Sequence, residues 1–152
     1  MTTRQTPLSL AVQYNAEGDE EPPSRSRVRA LIRAALPDGG DIGVRFVGAA
    51  ESARYNKQYR GKSGATNVLS FHYGKAESGG IRGDIVVCAP LAEREAALAK
   101  MPPANHYAHL IVHAALHLCG YLHESESDAA VMQKAERGIL RRFAITAAPH
   151  LR

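Results

Sequence analysis

Residues 8–14 (LSLAVQY) alternate apolar and polar positions, the period-two signature of a half-buried strand. The pattern then changes period. Over 25–36, Val28, Leu31, Ile32, Ala35 and Leu36 form an apolar stripe at helical spacing, with Ser24 placed to cap it. The acidic EGDEEPPS separates these two segments as a loop, and PDGGD ends the helix. IGVRFVG (42–48) predicts a second strand, 50–59 a short helix, TNVLSFHY (66–73) a third strand and IRGDIVVCA (81–89) a fourth. The turn GKAESGG between the last two makes them a hairpin. Pro90 suits the first turn of a helix to about Lys100. MPPAN is read as a break, followed by helices from about Asn105 to Cys119 and from about Ser127 to Phe143. The order β-α-β-α-β-β-α-α-α predicts an α+β fold: one domain over 1–152, with a mixed four-stranded sheet packed with about five helices. Residues 1–6 and 144–152 are expected to be flexible ends.

Composition changes this picture little. The 152 residues are 45% hydrophobic and 22% charged, ordinary for a globular domain, with a formal net charge of +4 that permits a polyanionic partner without requiring one. No apolar run approaches the roughly 18–20 residues of a membrane span, and the N-terminus has no long apolar stretch, so a soluble cytoplasmic protein is expected. Cys88 and Cys119 each sit in an apolar run without CxxC spacing and read as buried free thiols, Cys119 having the alternative of a metal thiolate.

The chemistry concentrates in HAALHLCGYLH, residues 113–123. On a helix, His113 and His117 share one face and can converge on one ion. Gly120 suits the helix stop and lets the chain reverse, so that His123 can return toward the same point. Three imidazoles would leave one position of a tetrahedral zinc open for water, the catalytic rather than the structural arrangement. His109 lies one turn upstream on the same face, either as a supporting partner or as a structural residue; His106 is also upstream. A HExxH peptidase would carry its general base directly after the first histidine, where this chain has Ala114. Glu124 and Glu126 follow the third histidine as alternative acids or as solvated loop residues.

H-x-x-x-H-x-x-G-Y-x-H followed by DAAVMQKAE (128–136), with YRGKSGATNVLSF (59–71) and GDIVVC (83–88) upstream, resembles the signature blocks of the YbeY-like endoribonucleases, the bacterial rRNA maturation factors. The likeness runs from residue 42 to about 142. It implies one zinc per chain held by His113, His117 and His123, with a zinc-bound water and with Arg60 contacting the RNA phosphate. It also implies single-stranded RNA as substrate, a role in 16S rRNA processing and ribosome quality control, and the small ribosomal subunit as partner. Two positions depart from the family pattern: Ala114 stands where the family has Gly, and Leu122 where it has Asp just before the last histidine. The first suits a helix interior; the second removes a carboxylate beside the site, a task open to Glu124.

The residues around these blocks fit that reading with alternatives. Arg54, Lys57, Arg60 and Lys62 form a basic cluster able to hold a phosphate backbone, or a solvated helix end. Tyr55, Tyr59, Phe71, Tyr73 and Tyr121 could stack bases, or be core and surface rings. Thr66, Asn67 and Ser70 could support the site or face solvent. Asp84 could order the sheet edge or accept a hydrogen bond from a ligand histidine, and Met132 and Glu136 fall on the last helix, Met132 as a packing residue. Two other functions remain open at this point: a zinc hydrolase of another substrate class, and a non-catalytic RNA-binding assembly factor with a structural zinc.

Overall fold

The computed structural model describes residues 7–15, 21–121 and 125–146. Strands Leu8–Tyr14 (β1), Gly40–Val47 (β2), Val68–Lys75 (β3) and Ile81–Cys88 (β4) alternate with helices Arg25–Ala35 (α1), Ala49–Arg60 (α2), Ala89–Leu98 (α3), Pro103–Leu118 (α4) and Glu126–Arg141 (α5). The element order is the expected one, and the fold is α+β. The sheet runs β1-β2-β4-β3. β1 and β4 are parallel to β2, and β3 returns antiparallel to β4 as the sheet's edge.

Strand periodicity decides what each sheet face meets. Leu8 and Val12 of β1, Ile42, Val44 and Phe46 of β2, and Ile85 and Val87 of β4 enter the main core with Val28, Leu31, Ile32 and Ala35 of α1 and the length of α4. Each large aliphatic side chain enclosed there stabilises by about 1.5–3 kcal/mol. On the opposite face Val47, Leu69 and Val86 form a smaller cluster against Tyr55 of α2 and Phe71.

α4 is the central helix. Twelve of its sixteen residues are buried, so it shows no polar stripe and packs against α1, α3, α5 and the β3–β4 hairpin. Its start differs from expectation. Pro102 and Pro103 do not break the chain but open the helix, since an amide N–H in the first turn has no helical acceptor to lose. β3 also begins two residues late, because Asn67 is committed elsewhere: its side chain accepts from the Val68 amide at 2.7 Å and its carbonyl from the Cys88 amide at 2.8 Å. At the C-terminal end, Ile145 is buried and its amide bonds the Leu140 carbonyl at 3.0 Å. Residues 1–6 and 147–152 lie outside the described residues.

Candidate active site

α4 ends in a Schellman motif. The Tyr121 amide bonds the Leu116 carbonyl at 3.1 Å and the Gly120 amide bonds His117 at 3.0 Å, with Gly120 at φ 99°, a conformation only glycine adopts cheaply. The helix therefore stops at Leu118, one residue after His117, close to the end its sequence implies. His113 and His117 are adjacent on one face: their ring centroids are 4.8 Å apart at 81°.

Both line a cavity of about 350 Å³, together with Ala114, Arg60 and the run Thr66–Ser70. Two buried polar side chains of α2 shape that wall. Ser52 Oγ donates to the Thr66 carbonyl at 2.9 Å and accepts from the Thr66 amide at 3.1 Å, while Asn56 Nδ2 donates to the Gly64 carbonyl at 2.9 Å. These bonds tie the glycine-bearing loop back onto α2, whose last residue is Arg60. Gly61 caps the helix at φ 66° and allows the chain to turn there.

Behind the cavity lies a buried carboxylate. Glu136 of α5 is 2% exposed and meets two histidines of α4: His113 Nδ1 at 2.7 Å and His109 Nε2 at 2.5 Å. Burial alone would raise the Glu136 pKa. The hydrogen bonds from His109 and His113 outweigh it and hold the carboxyl at about 2. An ionised carboxylate can only accept, so both imidazoles donate to it. His113 thereby carries a proton on Nδ1, which leaves Nε2 as the nitrogen it could offer a metal.

A second carboxylate–histidine pair supports the far wall. His106 Nε2 lies 2.8 Å from Glu95 Oε1, and Asn67 Nδ2 donates to both Glu95 oxygens at 3.2 Å. The hydrogen bond from His106 lowers the Glu95 pKa, against the opposing effect of burial. Asn67, a cavity residue, is thus held from three elements.

Of the expected site residues, the structure brings Arg60, His113 and His117 to one cavity, with Thr66, Asn67 and Ser70 beside them. His123, Leu122 and Glu124 lie outside the described residues. Among the described residues no three His, Cys, Asp or Glu side chains gather closely enough to hold a metal ion. The donor set nonetheless fits one: two adjacent imidazoles, one of them fixed in its tautomer by a carboxylate, on the cavity wall. Asp84 does not approach the histidines; it accepts from the Tyr73 hydroxyl at 3.2 Å on the opposite sheet face. Cys88 is buried as expected, but Cys119 is exposed, being the C-cap of α4, and its Sγ contacts the Ala35 carbonyl at 3.5 Å rather than the histidines.

Glu136 is the residue whose role the sequence reading missed. The available signal was its position: Met132, Glu136, Ile139 and Leu140 make the buried stripe of α5, and a carboxylate on such a stripe needs a partner. His109 now has a defined place as the second arm of that carboxylate.

Fold and site together define a class: a single-sheet α+β protein whose central helix presents a histidine pair, backed by a carboxylate, to a polar cavity under a basic loop. The family model for Endoribonuclease YbeY matches residues 20–144. The Endoribonuclease YbeY of Thiobacillus denitrificans is 45% identical over 143 residues, covering 94% of this chain and 95% of that protein. That of Bordetella pertussis is 41% identical over a 156-position alignment, covering 96% and 98%. The chain belongs to the YbeY endoribonuclease family. Its fold is also that of the solution structure of TM1509 from Thermotoga maritima, with a TM-score of 0.55 at 21% identity over 94% of this chain and 99% of that one.

Proposed function

We propose that this protein is a zinc-dependent endoribonuclease that cuts single-stranded RNA, acting in the cytoplasm on the rRNA precursor of the small ribosomal subunit. The observation that carries this reading is the cavity itself, lined at once by His113, His117 and Arg60. His113, His117 and His123 would hold the metal, which when bound supplies a Lewis acid beside the scissile phosphodiester.

The chain's own residues supply the rest. Glu136 keeps the His113 proton on Nδ1 and makes the ring a better donor through Nε2. Arg60 can place a planar, permanently charged fork on the phosphoryl oxygens, which take on negative charge as the phosphorus becomes pentacoordinate. The polar wall from Thr66 to Ser70 offers hydroxyl and amide groups to the sugar–phosphate chain. Lys57 and Lys62, exposed beside Arg60, add attraction that does not depend on base identity. Ala114, in the helix interior at the cavity wall, supplies no base, in keeping with a phosphodiester rather than a peptide substrate.

The test is metal analysis paired with cleavage of a single-stranded RNA, comparing the native chain with His117→Ala. The expected outcome is about one zinc per native chain and loss of both metal and cleavage in the variant. Full cleavage by a zinc-free variant overturns the reading. The product ends identify the nucleophile, since a 2′,3′-cyclic phosphate requires attack by the ribose 2′-hydroxyl.

A further inference from the structure

Two of the four exposed large hydrophobic side chains among the described residues are tyrosines, Tyr59 at 57% and Tyr73 at 53%, and both lie on the sheet face opposite α4. They do not stand alone. Tyr59 packs on Phe71 with ring centroids 4.9 Å apart, Tyr55 lies 6.1 Å from Tyr59 and 6.3 Å from Phe71, and the Arg82 guanidinium sits 5.8 Å from the Tyr73 ring centroid. Arg45 donates to the Tyr55 hydroxyl at 2.6 Å. Tyr55 and Phe71 are explained as cover for the small cluster of Val47, Leu69 and Val86. Tyr59 and Tyr73 extend that cover into a contiguous aromatic patch, each leaving more than half its surface in water.

Their position relative to the cavity gives them a use. Tyr59 directly precedes Arg60, and Phe71 directly follows Ser70; Arg60 and Ser70 line the cavity. β3 is the edge strand, so consecutive residues put the cavity on one side of that edge and the rings on the other. β3 also carries a register shift between His72 and Gly74, leaving Tyr73 as the extra residue. Arg45 and Arg82 flank the rings. Asp84, a carboxylate beside them, is engaged by the Tyr73 hydroxyl.

We infer that this aromatic strip, from Tyr59 across β3 to Tyr73, is a stacking platform for the unpaired bases of the RNA strand flanking the cavity. The inference rests on the RNA-cutting reading above. Rings with open faces beside guanidinium groups bind single strands without sequence choice, because every base has a π-face and every linkage a charge. A duplex, with its bases already stacked on each other, has none to offer.

The test measures binding separately from cleavage. The probe is a labelled single-stranded 2′-O-methyl oligoribonucleotide of about 12 nucleotides, titrated by fluorescence anisotropy and checked by gel to be uncut at the end of each titration. Tyr59→Leu and Tyr73→Leu, which keep apolar bulk but remove the ring, are each expected to weaken binding roughly tenfold. Tyr59→Phe and Tyr73→Phe are expected to bind as the native chain does. The chain contains no tryptophan, so Tyr59→Trp adds a single reporter, expected to be quenched by the single strand and not by a duplex of the same sequence. A Tyr59→Leu/Tyr73→Leu chain with native melting temperature and native affinity overturns the platform, as does an unquenched tryptophan. The two readings fail apart: native cleavage with undiminished binding by the leucine variants sinks the platform alone. Weakened binding by those variants, with no cleavage by the native chain, sinks the nuclease reading alone.

Discussion

Glu136 Oε1 lies 2.7 Å from His113 Nδ1, a contact that leaves Nε2 as the nitrogen His113 would offer a metal. A buried carboxylate that orients an imidazole is part of a metal site even though it never touches the ion, and removing such a partner commonly costs about 10- to 100-fold in metal affinity. Glu136→Gln keeps the volume but gives His113 an amide in place of an anion. Zinc affinity, followed by competition with a chelator, is expected to fall within that range, with the folded structure retained by circular dichroism. Undiminished affinity would assign Glu136 to packing alone.

Arg60 makes the opposite prediction. It is exposed, lies at the end of α2 and lines the cavity beside the two histidines. Arg60→Ala is expected to leave zinc content unchanged and lower kcat/KM on single-stranded RNA. A lost hydrogen bond to a charged group is worth about 1.5–3 kcal/mol, or roughly ten- to a hundredfold. Arg60→Lys, keeping charge but not the fork, should recover part of the loss. A fall in zinc content would show instead that Arg60 holds the loop.

Glu95 should leave its mark on acid stability. Its pKa is lowered from the ordinary 4.5, chiefly by the hydrogen bond from His106. A carboxylate with a depressed folded pKa stabilises the fold above its unfolded pKa, and that contribution disappears as pH falls through the folded value. Native protein is therefore expected to be more stable than Glu95→Gln at neutral pH, and the gap should close below about pH 4.5. Urea unfolding of both chains across that window measures it. A constant gap would mean that Glu95 acts through packing rather than through its charge.

The elements were largely legible because their apolar residues repeat with unambiguous periods: LSLAVQY alternates, and Val28, Leu31, Ile32 and Ala35 mark one face of α1. The histidine pair was legible because spacing of four on a helix is a geometric fact. Glu136 was not, because an acid on a helix is usually solvated, and only the packing of α5 on α4 makes this one internal. Nor was the start of α4, where Pro102 and Pro103 can be read equally as a break or as an opening turn. The division of β3 into a cavity side and an aromatic side needed the sheet order, since alternation alone does not say which face a helix will cover.

Gly83 of β4 ties the sheet to the site. A Cβ there would stand 2.7 Å from the Phe71 carbonyl oxygen and 3.0 Å from Leu118 Cδ2. The first contact is backbone of β3, which cannot yield without loosening the β3–β4 hairpin; the second is the last residue of α4, immediately after His117. Gly83→Ala must therefore spread the hairpin and displace the Leu118 side chain, an overpacking that costs about 1–3 kcal/mol. Spreading β3 moves Ser70 relative to His117 across the cavity. The expected result is a lowered melting temperature and a fall in kcat beyond what the unfolded fraction explains. By contrast, Gly138→Ala in α5, where an added methyl meets nothing within 4 Å, should be neutral or stabilising by up to about 1 kcal/mol. Thermal unfolding and initial rates for the two variants, measured side by side, check the argument. Equal behaviour would show that the close approach of β4 to α4 does not set the site's geometry.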